Sequence, residues 1–198
     1  MERTIAVIIV LLFLLLPSSV RAGVPLDTVR AHVNSVMEVL RDPKLKPEAA
    51  KEIKKEKLRA IYGRMFDEVE LSRRTLARNW NSLNDAQRQE FIPLFRQVLE
   101  KAYIDKILAY RNEKIVFERE SLLSESQAEI QTRIVTSSKE IPINYRVILR
   151  DGAWRVYDVL VENVSLVQNY RSQFNDILSK NAPDKLLEIL RKKVKEQT

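Results

Sequence analysis

The chain has 198 residues, 45% of them hydrophobic, and a formal net charge of +7 at pH 7. It contains no cysteine, one histidine and three glycines. This composition excludes a disulfide framework, a lipid-modified cysteine, a thiolate or multi-histidine metal site and a glycine-rich phosphate-binding loop.

The N-terminal residues predict a signal peptide. Glu2 and Arg3 precede an apolar run from Ile5 to Leu16, which is too short to span a bilayer because a spanning helix needs about 20 residues. The sequence Val20-Arg21-Ala22 then fits a signal-peptidase site. We expect cleavage after Ala22, export to a bacterial periplasm and a single domain over residues 23–198. The alternative is an uncleaved membrane anchor.

The first half of the domain has helical periodicity. A first helix is expected to end near Asp42-Pro43, and a charged helix to run from Pro47 to Ile61 before Gly63 interrupts it. A further helix follows Phe66-Asp67. A capping box at Asn84 and Gln87 then begins a long helix, in which Pro93 should bend the helix or move its start.

From Lys114 to Val161 the period changes to two, which predicts four antiparallel strands, with a tight hairpin turn at Asp151-Gly152. Helical periodicity returns at Ser165, and a final helix starts at Pro183 or Asp184. The fold class is therefore α+β, a curved four-stranded antiparallel sheet wrapped by N-terminal and C-terminal helices. Such a sheet can leave an apolar pocket between the layers, although periodicity alone favours a filled core.

The sequence contains few residues that suggest a catalytic site. The single histidine, His32, is expected on a helix surface or partly buried, and no Ser-His-acid arrangement stands out. Asp158 is an acid inside a buried-looking strand, and we expect it to pin the last helix to the sheet with Arg171 or Arg133 as its partner. We predict no catalytic residue, no metal, no cofactor and no enzymatic activity.

The segment from Asp151 to Phe174, DGAWRVYDVLVENVSLVQNYRSQF, carries a family resemblance. Together with Phe66-Asp67 and Leu71-Ser72-Arg73, it resembles the periplasmic phospholipid carriers of the Mla (toluene-tolerance) lipid-transport family. Asn163 stands where these carriers often have glycine, and asparagine tolerates the same left-handed turn. The charged helix around Lys51 to Lys57 has no counterpart in this pattern.

The resemblance implies a soluble, non-enzymatic shuttle. Such carriers move phospholipid between an outer-membrane lipoprotein complex and an inner-membrane ABC transporter with an MCE-domain subunit, and so maintain outer-membrane lipid asymmetry. We expect a monomer that does not bind nucleic acid, with acyl chains between sheet and helices and the head group near solvent. The expected lining residues are Phe95, Val98, Tyr103, Ile134, Tyr145, Val147, Val156, Val159, Val161, Val164, Leu166, Tyr170 and Phe174. The change Val147→Arg should then abolish lipid co-purification without unfolding the protein.

Two alternatives stay open at this point. One is a small enzyme with an NTF2-like cone-shaped fold, which would need a polar, titratable pocket. The other is a periplasmic adaptor that binds only proteins, which would have a filled core and an exposed apolar patch.

Overall fold

The computed structural model describes residues 24–110 and 113–196, so the predicted signal peptide and its cleavage site after Ala22 lie outside the described residues. The α-helices are α1 (Pro25–Arg41), α2 (Lys51–Met65), α3 (Glu68–Leu76), α4 (Asp85–Leu108), α5 (Leu166–Leu178) and α6 (Pro183–Glu196). Short 3-10 turns cover Pro43–Leu45, Glu48–Ala50 and Ala77–Ser82. The strands are β1 (Lys114–Ser124), β2 (Gln127–Val135), β3 (Glu140–Arg150), β4 (Ala153–Val161) and β5 (Val164–Ser165). In the described part of the chain, every helix is too short or too polar to cross a lipid bilayer.

The helix starts follow local capping chemistry. The Asn84 side chain accepts a hydrogen bond from the Gln87 amide at 2.8 Å, and the Gln87 side chain accepts one from the Asn84 amide at 3.0 Å, which confirms the predicted capping box of α4. Asp67 caps α3 in a similar way, accepting from the Glu70 amide at 2.8 Å. Pro93 does not move the start of α4, which begins at Asp85 and runs through the proline.

The second helix differs from the prediction at both ends. Pro47 introduces a 3-10 turn, and α2 itself begins at Lys51. Gly63 does not interrupt α2, which continues to Met65. The physical reason is packing: Ile61 and Met65 are both buried on either side of Gly63, and their burial offsets the roughly 1 kcal/mol helical penalty of glycine.

The sheet has five strands, not the four predicted. Its order is β1-β2-β3-β4-β5, and each strand is antiparallel to the next. The fifth strand is only two residues long and pairs with the end of β4 across a turn at Glu162 and Asn163, which have φ of 50° and 66°. Two residues are too few to show alternation, so the strand is invisible in the sequence pattern. The predicted turn at Asp151-Gly152 is confirmed, with φ of 51° and 75°.

The buried side chains form two apolar clusters. The helical cluster joins α3, α4, α5 and α6, and its centre holds edge-to-face contacts of Phe95 with Tyr170 and Phe174 at ring-centroid distances of 5.1 and 5.4 Å. The sheet cluster places α1 on the strands and consists of Val29, Val33, Met37, Met65, Ala128, Ile130, Val147, Trp154 and Val156. Phe66 packs against both clusters. We call the boundary between the two clusters the seam.

A buried ionic network fixes α3 to the sheet. The Glu70 carboxylate is fully buried and accepts hydrogen bonds from Arg73, Arg74 and Arg150 at 2.7–3.0 Å. Burial acts to raise the pKa of Glu70, but the hydrogen bonds from these three arginines outweigh it and lower the pKa. Arg150, which lies on β3, also donates to Asp67 at 2.8 Å. Both ends of the first turn of α3 are therefore tied to the same hairpin.

Asp158 ties the start of α5 to β4, through partners other than those predicted. Its carboxylate accepts from the Ser165 hydroxyl at 2.6 Å and from the Val167 amide at 3.1 Å, and Arg146 lies 3.6 Å away. Arg171 instead donates to the main-chain oxygen of Arg74. Arg133 is likewise occupied, since it pairs with Glu118 and Glu140.

Candidate functional site

The face of the sheet toward α1, here called the inner face, is covered unevenly. Under α1 the side chains are sealed: Ala128, Ile130 and Val147 are 0% exposed, and Val156 is 1% exposed. Toward the other end of the same face, six side chains are only half-buried: Ile134, Ile141, Ile143, Tyr145, Val159 and Val161. We call these two regions the closed half and the open half.

The strand register assigns the open half to one face. Ile134 pairs with Ile141, Tyr145 with Val159, and Val161 with Ile143, and directly opposed residues share a face. A β-bulge shifts the β3–β4 register, so that Val147 pairs with Val156 while the preceding residue of β3 pairs with Asp158. The extra residue keeps Val156 and Val159 on the same side despite their odd spacing.

The seam runs beside the open half. Tyr145 and Val159 are partly buried against the sheet cluster, whereas Tyr103 and Leu166 are partly buried against the helical cluster. The close backbone neighbours of α4 are α6 and α3 rather than the strands. The long helix is therefore held by other helices, and its side chains form one wall of the seam.

Four tyrosines around the seam have unpaired hydroxyls. Among the described residues, Tyr62, Tyr103, Tyr145 and Tyr170 have no hydrogen-bond partner for the phenol group, whereas Tyr157 donates to Gln127 at 3.1 Å. Burial raises the pKa of all four, that of Tyr145 to about 12. None of their hydroxyl oxygens is among the fully enclosed unpaired polar atoms of the described chain. A buried phenol normally finds a partner, so these incompletely enclosed hydroxyls can reach water or another molecule.

The structure distributes the predicted lining residues over three environments. Phe95, Val98, Tyr170 and Phe174 are buried in the helical cluster, with Tyr103 and Leu166 against it. Val147 and Val156 are buried in the sheet cluster, with Tyr145 and Val159 against it. Ile134 and Val161 are half-buried on the open half, and Val164 is 62% exposed on β5. Their role as a lining stays a prediction.

One seam residue was missed by sequence reasoning. Tyr62 stacks on Phe66 with ring centroids 4.4 Å apart, and burial, with the charge of Glu68, raises its pKa. The available signal was the spacing of these two aromatic residues, since positions i and i+4 of a helix are neighbours on its surface. The dense charges of α2 obscured it.

The described residues contain no group of three or more His, Cys, Asp or Glu side chains that could hold a metal ion. His32 is half-buried on α1, and its pKa is lowered by burial and by the charges of Arg64 and Arg155. What the seam offers a ligand is aliphatic and aromatic contact area together with a few phenol hydrogen-bond donors.

The fold and the seam define the class: an α+β domain in which an antiparallel sheet and its helices leave a half-open apolar boundary between them. The family model described as MlaC protein matches residues 30–192, and the chain belongs to this family. The family predicted from the sequence is thus confirmed.

Two relatives agree with this assignment. The chain is 27% identical over 119 residues to the "Intermembrane phospholipid transport system binding protein MlaC" of Haemophilus influenzae; the match covers 58% of this chain and 56% of the relative, little more than half of that protein's length. It is 22% identical over 168 residues to the "Toluene tolerance protein ttg2D" of Pseudomonas putida, covering 84% and 78%.

A solved structure shares the fold. The phospholipid-binding protein of Ralstonia solanacearum, determined in complex with a phospholipid, superposes with a TM-score of 0.80. The match covers 88% of this chain and 99% of that protein at 18% sequence identity.

Proposed function

We propose that this chain is a periplasmic phospholipid carrier, made with a signal peptide that is removed after Ala22, and that residues 23–198 form its single carrier domain. The acyl chains lie in the seam against the open half of the inner face. The carrier works as a monomer and exchanges its lipid with an inner-membrane ABC transporter that has an MCE-domain subunit and with an outer-membrane lipoprotein complex. Membership of the MlaC family and the fold shared with a phospholipid complex support this proposal.

The observation that carries the proposal is the set of four unpaired phenols beside a half-buried apolar surface. A protein that filled its own interior would seal the open half and give its buried hydroxyls partners. Covering the lipid is energetically necessary, since each CH₂ removed from water contributes about 0.8 kcal/mol and two chains of about 15 carbons expose roughly 24 kcal/mol of hydrocarbon.

Within the predicted lining, the proposal assigns different tasks. Ile134, Tyr145, Val159 and Val161 contact the acyl chains from the sheet, and Tyr103 contacts them from α4. The residues that are sealed in the two clusters support this surface from behind. They are Phe95, Val98, Val147, Val156 and Phe174, whereas the ring of Tyr170 lies in the same cluster and only its hydroxyl reaches the seam.

The test begins with the purified chain, extracted with organic solvent and examined by mass spectrometry. Bound phospholipid is expected, and the delipidated protein should take up labelled phospholipid from vesicles. A polar metabolite in the extract would support the enzyme alternative. No bound molecule and no uptake would defeat the carrier proposal and leave the protein-binding adaptor.

A pocket-filling variant makes the test specific to the seam. Val161→Trp adds an indole on the open half and should lower phospholipid uptake several-fold with an unchanged unfolding transition. Val69→Trp is the matched control, because Val69 is 48% exposed on α3. Equal uptake by the two variants would remove the open half from the binding site.

A further inference from the structure

Two open cavities meet at one arginine at the C-terminal end of α1. The larger, about 580 Å³, lies between α1, the 3-10 turns, the start of α2 and the end of α4. The smaller, about 250 Å³, lies between α1 and β1 and is lined by Asn34, Met37, Arg41, Lys114, Ile115 and Phe117. Arg41 lines both cavities, and we call the larger one the cationic cleft.

The cationic cleft has an excess of positive charge. It is lined by the cations Arg41, Lys46, Lys51 and Lys54 and by two carboxylates, Glu48 and Asp105. Both carboxylates act on the same lysine: Glu48 accepts a hydrogen bond from Lys51 at 2.9 Å, and the charge of Asp105 also raises the pKa of Lys51. None of the described carboxylates forms an ion pair with Arg41, Lys46 or Lys54. The lining of the cleft therefore has a net excess of two positive charges, and three of its cations form no ion pair within the described structure.

Arg41 is oriented by a neutral partner. Its Nε and one terminal nitrogen donate to the Tyr110 hydroxyl at 3.2 and 2.7 Å, and the guanidinium lies 5.7 Å from the centre of that ring. The Tyr110 hydroxyl donates in turn to the main-chain oxygen of Glu113 at 2.9 Å. The guanidinium is thus held in place while the hydrogen atoms of its other terminal nitrogen stay available for an anion.

The smaller cavity lies against β1, on the other side of Arg41 from the cleft lining. Met37, Ile115 and Phe117 give it apolar walls, and Ile115 pairs with Ile134, the nearest residue of the open half. An amphiphile whose anion lies at Arg41 would have its apolar part directed along β1 toward the open half. The juxtaposition of an excess of cations with an apolar surface is complementary to an anionic amphiphile such as a phospholipid.

We propose that Arg41, with Lys54 and Lys46, binds the phosphodiester of the lipid head group. This assignment rests on the proposed function, because it places the head group of the same cargo. The cleft would then select lipids that carry a phosphate. A lipid with the same acyl chains as the phospholipid but without a phosphate would bind to the seam alone, with no contribution from the cleft.

The experiment compares two labelled lipids, a phosphatidylglycerol and a diacylglycerol with the same acyl chains, on the delipidated full domain. The double variant Arg41→Gln/Lys54→Gln should weaken phosphatidylglycerol binding about tenfold and leave diacylglycerol binding unchanged. The difference should shrink as the salt concentration rises, since the cleft is open to solvent. A double variant that removes the same number of charges nearby, Lys44→Gln/Lys55→Gln, is the control, because neither residue lines the cleft.

Each outcome decides the proposal. Equal loss for both lipids, or no loss for either, would overturn the head-group assignment while the carrier function stands. Failure of the parent protein to bind both lipids would instead be the failure of the proposed function. Binding of inorganic phosphate to the lipid-free proteins is the last measurement. If phosphate binds tightly to the parent protein and not to the variant, while both proteins load lipid equally, the cleft is a site for free phosphate. The head-group assignment is then wrong.

Discussion

The hydroxyl of Tyr145 provides a direct test of whether the seam is open. Tyr145 lies on the open half, makes no hydrogen bond within the described residues, and has a pKa raised to about 12 by burial. In a well-packed core, the change Tyr→Phe removes a hydrogen bond and costs about 0.5–1.5 kcal/mol. Tyr145 has no such bond to any residue that the structure describes. We therefore expect Tyr145→Phe to change the free energy of unfolding of the delipidated protein by less than about 0.5 kcal/mol, since no hydrogen bond within the protein is lost.

Tyr157 is the matched control on the neighbouring strand. It is 4% exposed, its hydroxyl donates to Gln127 at 3.1 Å, and Arg74 lies 3.9 Å from the centre of its ring. Phenylalanine keeps the ring contact with the arginine and loses only the hydrogen bond. Tyr157→Phe should therefore lower the free energy of unfolding by about 0.5–1.5 kcal/mol.

Urea unfolding of the two variants at pH 7 gives the comparison, with an unchanged m-value as evidence that the unfolded surface is the same. A loss of stability in Tyr145→Phe equal to that in Tyr157→Phe would refute the reasoning, because it would mean that the Tyr145 hydroxyl has a partner.

The pH dependence of the stability adds a second readout. Because the folded pKa of Tyr145 is raised above its ordinary value of 10.0, the stability from its neutral phenol is complete below pH 10 and is lost as the pH rises toward about 12. Tyr145→Phe should remove that part of the alkaline loss.

Two further predictions concern ionisable groups. Glu70→Gln should lower the free energy of unfolding in urea by about 1–3 kcal/mol, since it removes the buried carboxylate while the three arginines keep contact with water. Glu68→Gln loses only the partly exposed pair with Arg96 at 3.8 Å and should cost less than about 1 kcal/mol. Equal costs would contradict the role of the network. Because the pKa of His32 is lowered in the folded protein, the stability should fall as the pH drops below the ordinary value of 6.5. His32→Gln should make the melting temperature less dependent on pH when thermal unfolding is measured between about pH 5 and 7. An unchanged pH dependence of the melting temperature would contradict this prediction.

The elements that could be predicted from the sequence are those that depend on local chemistry. The capping box at Asn84 and the turn at Asp151-Gly152 were predicted because a few neighbouring side chains and φ values determine them. The two-residue strand β5 could not be predicted, since it exists only because Val164 meets Val161 across a turn. The continuity of α2 through Gly63 is similarly decided by tertiary burial on either side of the glycine.

The site was predicted less completely, because periodicity shows which residues share a face and not what covers that face. Val147 and Ile134 look alike in the sequence, yet α1 seals the first and leaves the second half-buried. Val147→Arg, expected from the sequence to spare the fold, would place a charge in the sheet cluster, so the structure predicts unfolding. The cationic cleft was also hidden, since α2 alternates acids and bases and only the fold selects the cations that face Arg41.

An apolar seam with unpaired phenols has a physical consequence for a carrier. A membrane covers the same hydrocarbon as the seam does, so the roughly 24 kcal/mol of hydration cost appears on both sides of the exchange and cancels. The direction of lipid transfer then depends on small differences in free energy between the empty and the loaded protein. In the proposed carrier, Tyr62, Tyr103, Tyr145 and Tyr170 would supply such differences, because water can solvate their open hydroxyls in the empty protein and lipid would cover them in the loaded one. Internal partners for these phenols would stabilise the empty form at the expense of uptake. Under the proposed function, hydroxyls without partners inside the described structure would keep the empty and the loaded state close in free energy, which is the condition for reversible exchange.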